Sequence, residues 1–303
     1  MIRRRTTTAV LACALALGLV AAACTPPTPP PVENWKFQAT KVQVINQTEY
    51  INVVGCGVGN CYDEPYHINI WFRAKFGGGP TSVQTGVVDT RGCSPEIALR
   101  EAGKGGPDTK DLLADDNDCY PGTVAFNNVQ MLDVLDINDT NKLEVLGVWQ
   151  WAMEEDQLGF DASGIASALN KVLQDTVAGG TVPNENLVTY IINTLFSGGF
   201  VTTITTAFGL LGINIPIFGD DTIGSRLFVG VNARGSLASL IGTSTTAGGI
   251  NVGFGIPSIQ GISITGLGSS PVNFDNQEYT ETNCTLGICD TDTYRYWNRW
   301  TNS

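Results

Sequence analysis

The sequence predicts a mainly β fold: an antiparallel β-sandwich interrupted by a helical insertion. Three observations point there. Between residue 35 and residue 156, short runs rich in β-branched and aromatic residues follow one another, and in the clearest of them apolar and polar residues alternate with period two. That period belongs to strands with one face on a core. Gly, Pro, Asn and Asp separate the runs, as turns require. From Asp161 the period changes, with Ile165, Leu169, Val172, Leu173 and Val177 at helical spacing, before strand-like sequence returns at SRLFVGV, residues 225–231. At 43% hydrophobic residues the chain can bury a substantial core, as one large or two small domains.

Residues 1–23 read as an export signal, not as part of the fold. Arg3, Arg4 and Arg5 precede an apolar run over residues 9–20 and then Ala21, Ala22 and Ala23. The run is too short for a stable membrane span. The alanines suit ordinary signal peptidase. Together with Cys24 they also resemble a bacterial lipobox, with Ala21 where leucine is usual. That resemblance implies a lipidated Cys24 as mature N-terminus, hence an extracytoplasmic protein anchored to the cell membrane, with free secretion as the alternative. Residues 24–34, with TPPTPPPVE, form an extended spacer.

Export fits the cysteines. Apart from Cys13 in the leader and Cys24, six remain: Cys56, Cys61, Cys93, Cys119, Cys284 and Cys289. An even number in an exported chain reads as disulfides. Six cysteines allow 15 connectivities; proximity favours Cys56 with Cys61 in CGVGNC and Cys284 with Cys289 in CTLGIC, leaving Cys93 for Cys119. Zinc fits less well, because the spacings are wide and there is one histidine.

The net charge of −12 excludes nucleic acid as a natural partner, since such a surface repels phosphates. It makes cations natural ones.

The first part of the sandwich covers residues 35–156. Its strands are KFQATKVQVI (36–45), PYHINIWFRAKF (65–76), SVQTGVVD (82–89), TVAFNNVQML (123–132) and KLEVLGVWQWAM (142–153). In the second, Ile68, Ile70, Phe72, Ala74 and Phe76 alternate with His67, Asn69, Trp71, Arg73 and Lys75. This reads as a strand covering a core on one side, with a polar other face. The helical insertion spans residues 157–219. Its first helix starts after Asp161 or Ser163 as N-cap, a second covers residues 184–197, and the apolar stretch GFVTTITTAFGLLGINIPIF (199–218) follows. The insertion packs on the sandwich or, alternatively, offers an amphipathic surface to a membrane or partner. Residues 220–303 supply the remaining strands. The Gly/Ser/Thr-rich stretch 242–270 has no assignable period. Tyr294, Tyr296, Trp297 and Trp300 suggest an edge strand, with an aromatic platform for sugar or lipid as the alternative.

Four segments resemble C2 domains, in C2 order: DEPYHINIWF (63–72), PGTVAFNNVQML (121–132), LEVLGVWQWAMEED (143–156) and DDTIGSRLF (220–228). The resemblance implies an eight-stranded antiparallel sandwich with calcium held between loops at one end. Calcium takes six to eight oxygens at about 2.3–2.6 Å, so carboxylates must converge from several loops. Asp63 and Glu64, then Glu154, Glu155 and Asp156, then Asp220 and Asp221 stand at strand ends. Without a cation their charges would repel. One departure stands out. The family carries two Asp ligands, two residues apart, where this chain has Gln150 and Ala152. Glu154 and Asp156 share their strand parity.

Catalytic signals are thin. His67 is the only histidine and reads as structural, and no G-x-S-x-G, H-E-x-x-H, P-loop or Rossmann fingerprint occurs. The expected function is non-catalytic, calcium-dependent binding of lipid or an envelope protein at the cell surface. A hydrolase using Glu154, Glu155 or Asp156 as acid and base, or a metal-free structural surface protein, are the alternatives.

Overall fold

The computed structural model describes residues 31–46, 62–63, 65–75, 82–92, 97–98, 109–112, 121–133, 143–154, 162–178, 222–250, 258–268, 270–285 and 288–303. The chain divides into Met1–Pro31, of which only Pro31 is described, and Val32–Ser303.

In the second unit the long strands are β1 (Val32–Asn46), β3 (Pro65–Lys75), β4 (Val83–Asp89), β7 (Val124–Gln130), β8 (Glu144–Glu154), β9 (Thr222–Val231), β10 (Thr243–Ile250), β11 (Ile259–Gly266), β12 (Val272–Thr285) and β13 (Ile288–Asn302). Short strands β2 (Tyr62–Asp63) and β5 (Ile97–Ala98) pair with each other, and β6 (Thr109–Asp111) pairs with β1. Two helices are described, α1 (Ala162–Ala178) and α2 (Gly235–Ile241). None of the described helices is long and apolar enough to cross a membrane.

One sheet has the order β12-β13-β1-β6, with β7 on β1; the other runs β10-β11-β9-β8-β3-β4. The two stack as a sandwich. Trp35 and Phe37 of β1, Phe126 of β7, Leu146 and Val148 of β8, Phe228 of β9 and Trp300 of β13 form one apolar cluster between the sheets. Ala39, Val42, Ala152, Ile223, Tyr279, Tyr294 and Tyr296 continue it. A fully buried side chain of this size is worth about 1.5–3 kcal/mol, so this layer is the main source of cohesion.

A third layer covers the other face of the six-stranded sheet. Ile165, Ala166, Leu169 and Leu173 of α1, with Leu237 and Ile241 of α2, pack on Ile68, Ile70 and Phe72 of β3, Trp149 and Trp151 of β8 and Ile262 and Ile264 of β11. Thr85 Oγ1 of β4 donates to the Ala166 carbonyl at 3.1 Å. The first predicted helix is thus present as α1, and it does lie on the sandwich. Ser163 falls inside it, and the rest of the predicted insertion, residues 157–161 (with Asp161) and 179–219, lies outside the described residues.

This layering changes the reading of β3. Its apolar residues face the helices, while its polar residues face the other sheet: His67 and Asn69 are 0% exposed. The strand is buried on both faces, as is β8 along its whole length. The stretch without an assignable period holds β10 and β11, and β11 lies parallel to β9, the one parallel pairing among the described strands of these sheets. Eleven described strands therefore build the two sheets, against the eight that the C2 resemblance implies.

Candidate functional site

The strand register brings ends of β3, β8 and β9 side by side at one end of the six-stranded sheet. β8 lies between β3 and β9, with Glu154 opposite Pro65 and Met153 opposite Thr222. Segments 63–64, 155–156 and 220–221 are thus joined covalently to neighbouring ends of three adjacent strands. Glu154 is 9% exposed and shares parity with Leu146, Val148 and Ala152, which point between the sheets. Of the predicted ligands, Glu154 alone has a described side chain. Asp63 is placed by its backbone in β2, and Glu64, Glu155, Asp156, Asp220 and Asp221 lie outside the described residues.

Two carboxylates at this end escaped the sequence reading. Thr222 Oγ1 donates to Glu281 Oε2 at 3.1 Å. Glu281 of β12 is opposite Asp292 of β13, which is 6% exposed. Their signal was the threonine-flanked acids of TETNC and DTDTY, which read as ordinary strand alternation. Among the described residues, no three His, Cys, Asp or Glu side chains come together as a metal-holding group.

Directly below this end lies a seam of buried polar side chains between the sheets. Gln150 sits four residues before Glu154, about 13 Å along the strand. It pairs reciprocally with Asn298: Gln150 Nε2 donates to Asn298 Oδ1 at 3.1 Å, and Asn298 Nδ2 donates to Gln150 Oε1 at 2.9 Å. The Tyr279 hydroxyl donates to the same Oε1 at 2.6 Å. Burial pushes the Tyr279 phenol well above its ordinary pKa, so it keeps the proton it donates. Beside Gln150 in the sheet, Asn69 Nδ2 donates to the Gly122 carbonyl at 2.9 Å. His67 meets the Tyr296 ring edge to face, 5.6 Å between centroids. Burial lowers the His67 pKa to about 3, because the interior does not solvate an imidazolium. The ring is therefore neutral at physiological pH, fully buried between the sheets instead of on the solvated face its strand position suggested.

Side chains of the six-stranded sheet also tie down the free edge of β12. Arg226 Nε of β9 donates to the Glu278 carbonyl at 2.8 Å, and its guanidinium lies over the Tyr279 ring at 5.6 Å. Gln260 of β11 accepts from the Thr280 N–H at 2.9 Å and donates back to the Thr280 carbonyl. Backbone groups that an edge strand would offer to another chain are used internally. At the opposite end of β3, Arg73 pairs with the buried Glu144 and donates to the carbonyls of Asn127 and Asn128 at 2.7 and 3.0 Å.

Gln150 and Ala152, which stand where the C2 pattern has its Asp pair, therefore face the inter-sheet seam rather than a loop. An amide suits that position, since a carboxylate there would be buried beside an acceptor. The cysteines divide. Cys284 and Cys289 occupy directly opposite positions of β12 and β13, a spacing compatible with a disulfide. Cys24, Cys56, Cys61, Cys93 and Cys119 lie outside the described residues.

Comparison with family models, curated proteins and solved structures finds no match for this chain. The C2 similarity rests on the four segments quoted above.

Proposed function

We propose that this chain is a non-catalytic, extracytoplasmic lipoprotein, anchored through Cys24, whose sandwich binds calcium at one end and through it engages lipid or another envelope component. What carries the reading is the register of β3, β8 and β9, which joins three acidic segments to neighbouring strand ends. Loops on a rigid base are where binding residues belong. The seam of Gln150, Asn298 and Tyr279 supplies such a base by fixing the two sheets to each other beneath the loops.

The test is thermal unfolding of the oxidised mature protein in EDTA and then in calcium or magnesium. A site held at 100 times its dissociation constant adds about 2.7 kcal/mol, so calcium raises the midpoint and magnesium raises it less. An equal midpoint in all three solutions returns the acidic segments to ordinary loops. Glu154→Gln separates this reading from a hydrolase, because it reduces the calcium shift here but abolishes glycan turnover there. A diacylated Cys24 in the mass spectrum of the native N-terminus supports the anchor; an unmodified Cys24 rejects it.

A further inference from the structure

The outer face of the five-stranded sheet differs from every other broad surface of the sandwich. Both described helices lie on the six-stranded sheet, and no described element packs on this one. β13 runs through its centre, between β12 and β1, and is not the edge strand that its aromatic residues suggested. Its residues alternate. Tyr294, Tyr296, Asn298 and Trp300 are buried toward the seam, while Arg295, Trp297 and Arg299 point outward, each half-buried.

The neighbouring strands complete a small platform. Lys41 is in register with Trp297, Gln43 with Arg295 and Lys36 with Thr301, while Gln38, opposite Arg299, is buried and donates to Thr123 Oγ1 at 2.9 Å. Lys41 Nζ stands 5.1 Å from the Trp297 ring centroid. Two of the four cations are matched: Arg295 pairs with Glu278 at 3.0 Å, and Lys41 reaches Asp111 at 3.9 Å. Lys36 and Arg299 have no ion pair or side-chain hydrogen bond among the described residues. The Nε1 of Trp297 likewise has no described partner. A chain of net charge −12 thus sets, beside a half-buried indole, two positive charges that are unpaired among the described residues.

That combination selects a ligand class. An indole face takes the C–H face of a sugar ring, its N–H takes a hydroxyl, and a guanidinium takes a carboxylate in two parallel hydrogen bonds. Arg299 lies about 7 Å from Trp297 along the strand, within reach of an acid group on the stacked ring or the next one. A membrane would ask for protruding aliphatic side chains, and here Lys, Arg, Gln and Thr surround a single ring.

We propose that this face binds a carboxylated polysaccharide, with one sugar ring on Trp297 and its acid group held by Arg299 and Lys36. The proposal rests on the reading of a non-catalytic envelope-binding protein and names the partner, at a surface that uses none of the calcium segments.

The experiment is calorimetric titration of the mature protein in EDTA with hexagalacturonate, with cellohexaose as the neutral counterpart. Single-stranded DNA and phosphatidylserine vesicles serve as the other anionic probes. Hexagalacturonate is expected to bind, more weakly as salt rises, with cellohexaose at least tenfold weaker. Trp297→Ala and Arg299→Gln are each expected to lower affinity at least tenfold at an unchanged unfolding midpoint. If Trp297→Ala unfolds, Arg299→Gln and Lys36→Gln carry the comparison. No binding of hexagalacturonate, equal binding of cellohexaose, variants that bind like the parent, or tighter Trp297-dependent binding of DNA or vesicles would each overturn the proposal. Binding in EDTA without any calcium shift in the unfolding experiment would remove the calcium site and leave this one; a calcium shift without glycan binding would do the reverse.

Discussion

Replacing Gln150 with Leu isolates the energetic role of the polar seam. The two side chains are close in size, so the change opens little cavity. It deletes three hydrogen bonds, at 2.6, 2.9 and 3.1 Å. Neither partner can turn to water, since Tyr279 and Asn298 are at most 1% exposed. Each buried polar group left unmatched costs about 1–3 kcal/mol, and two residues lose partners. The added apolar burial recovers about 1–2 kcal/mol. The expected net loss is about 3 kcal/mol, a large share of a stability of about 5–15 kcal/mol. Urea unfolding measures it as a lower midpoint at unchanged slope. The triple variant Gln150→Leu, Asn298→Leu, Tyr279→Phe removes donors and acceptors together, and should regain most of the loss. A single variant within 1 kcal/mol of the parent, or a triple variant less stable than the single one, would refute the reasoning.

Three further outcomes follow from the same region and its neighbours. His67 titrates near 6.5 when unfolded and near 3 when folded, so the unfolded chain binds the extra proton between those values and stability falls as pH falls through that window. From pH 7 to 5 the loss is about 2 kcal/mol, and His67→Gln should remove that part of the slope; an identical slope in the variant rejects the assignment. Gly122 has φ +60°, and a Cβ there would overlap the His67 imidazole and meet Thr90; Gly122→Ala should cost about 2–5 kcal/mol, and a parent-like melting midpoint speaks against that packing. In an unreduced digest, Cys284 and Cys289 should resist alkylation until reductant is added, as their opposed positions imply; immediate alkylation of both rejects the bridge.

The strands were legible because their signal is local. Period two and turn residues place β1, β3, β4, β7, β8 and β9 within a few residues of their observed ends. What covers each face was not legible. In β3 the polar set looked solvated, yet His67 and Asn69 meet the other sheet because helices take the apolar set. Burial on two sides makes β8 apolar in appearance between Glu144 and Glu154, and there only Gln150 hints that its inner face meets partners distant in sequence, at 279 and 298. β10 and β11 hid in a Gly/Ser/Thr-rich stretch because Thr243 and Thr245 pair by hydroxyl bonds with Thr265 and Ser263 rather than by apolar contact. The acidic segments were visible as sequence, and that the strands they adjoin end side by side follows only from the register of β8 with both neighbours. Glu281 and its cross-strand neighbour Asp292 reach the same end from the opposite sheet, Glu281 through a contact to Thr222 that no local pattern encodes.

Calcium titration calorimetry on the mature protein tests the calcium site most directly, repeated with Glu154→Gln and with the pair Asp63→Asn, Asp221→Asn. The expected result is a saturable, calcium-selective binding event that weakens at least tenfold in both variants while their unfolding in EDTA stays close to that of the parent. Absence of binding heat in the parent, or affinity unchanged in both variants, would contradict a calcium site built from these strand ends.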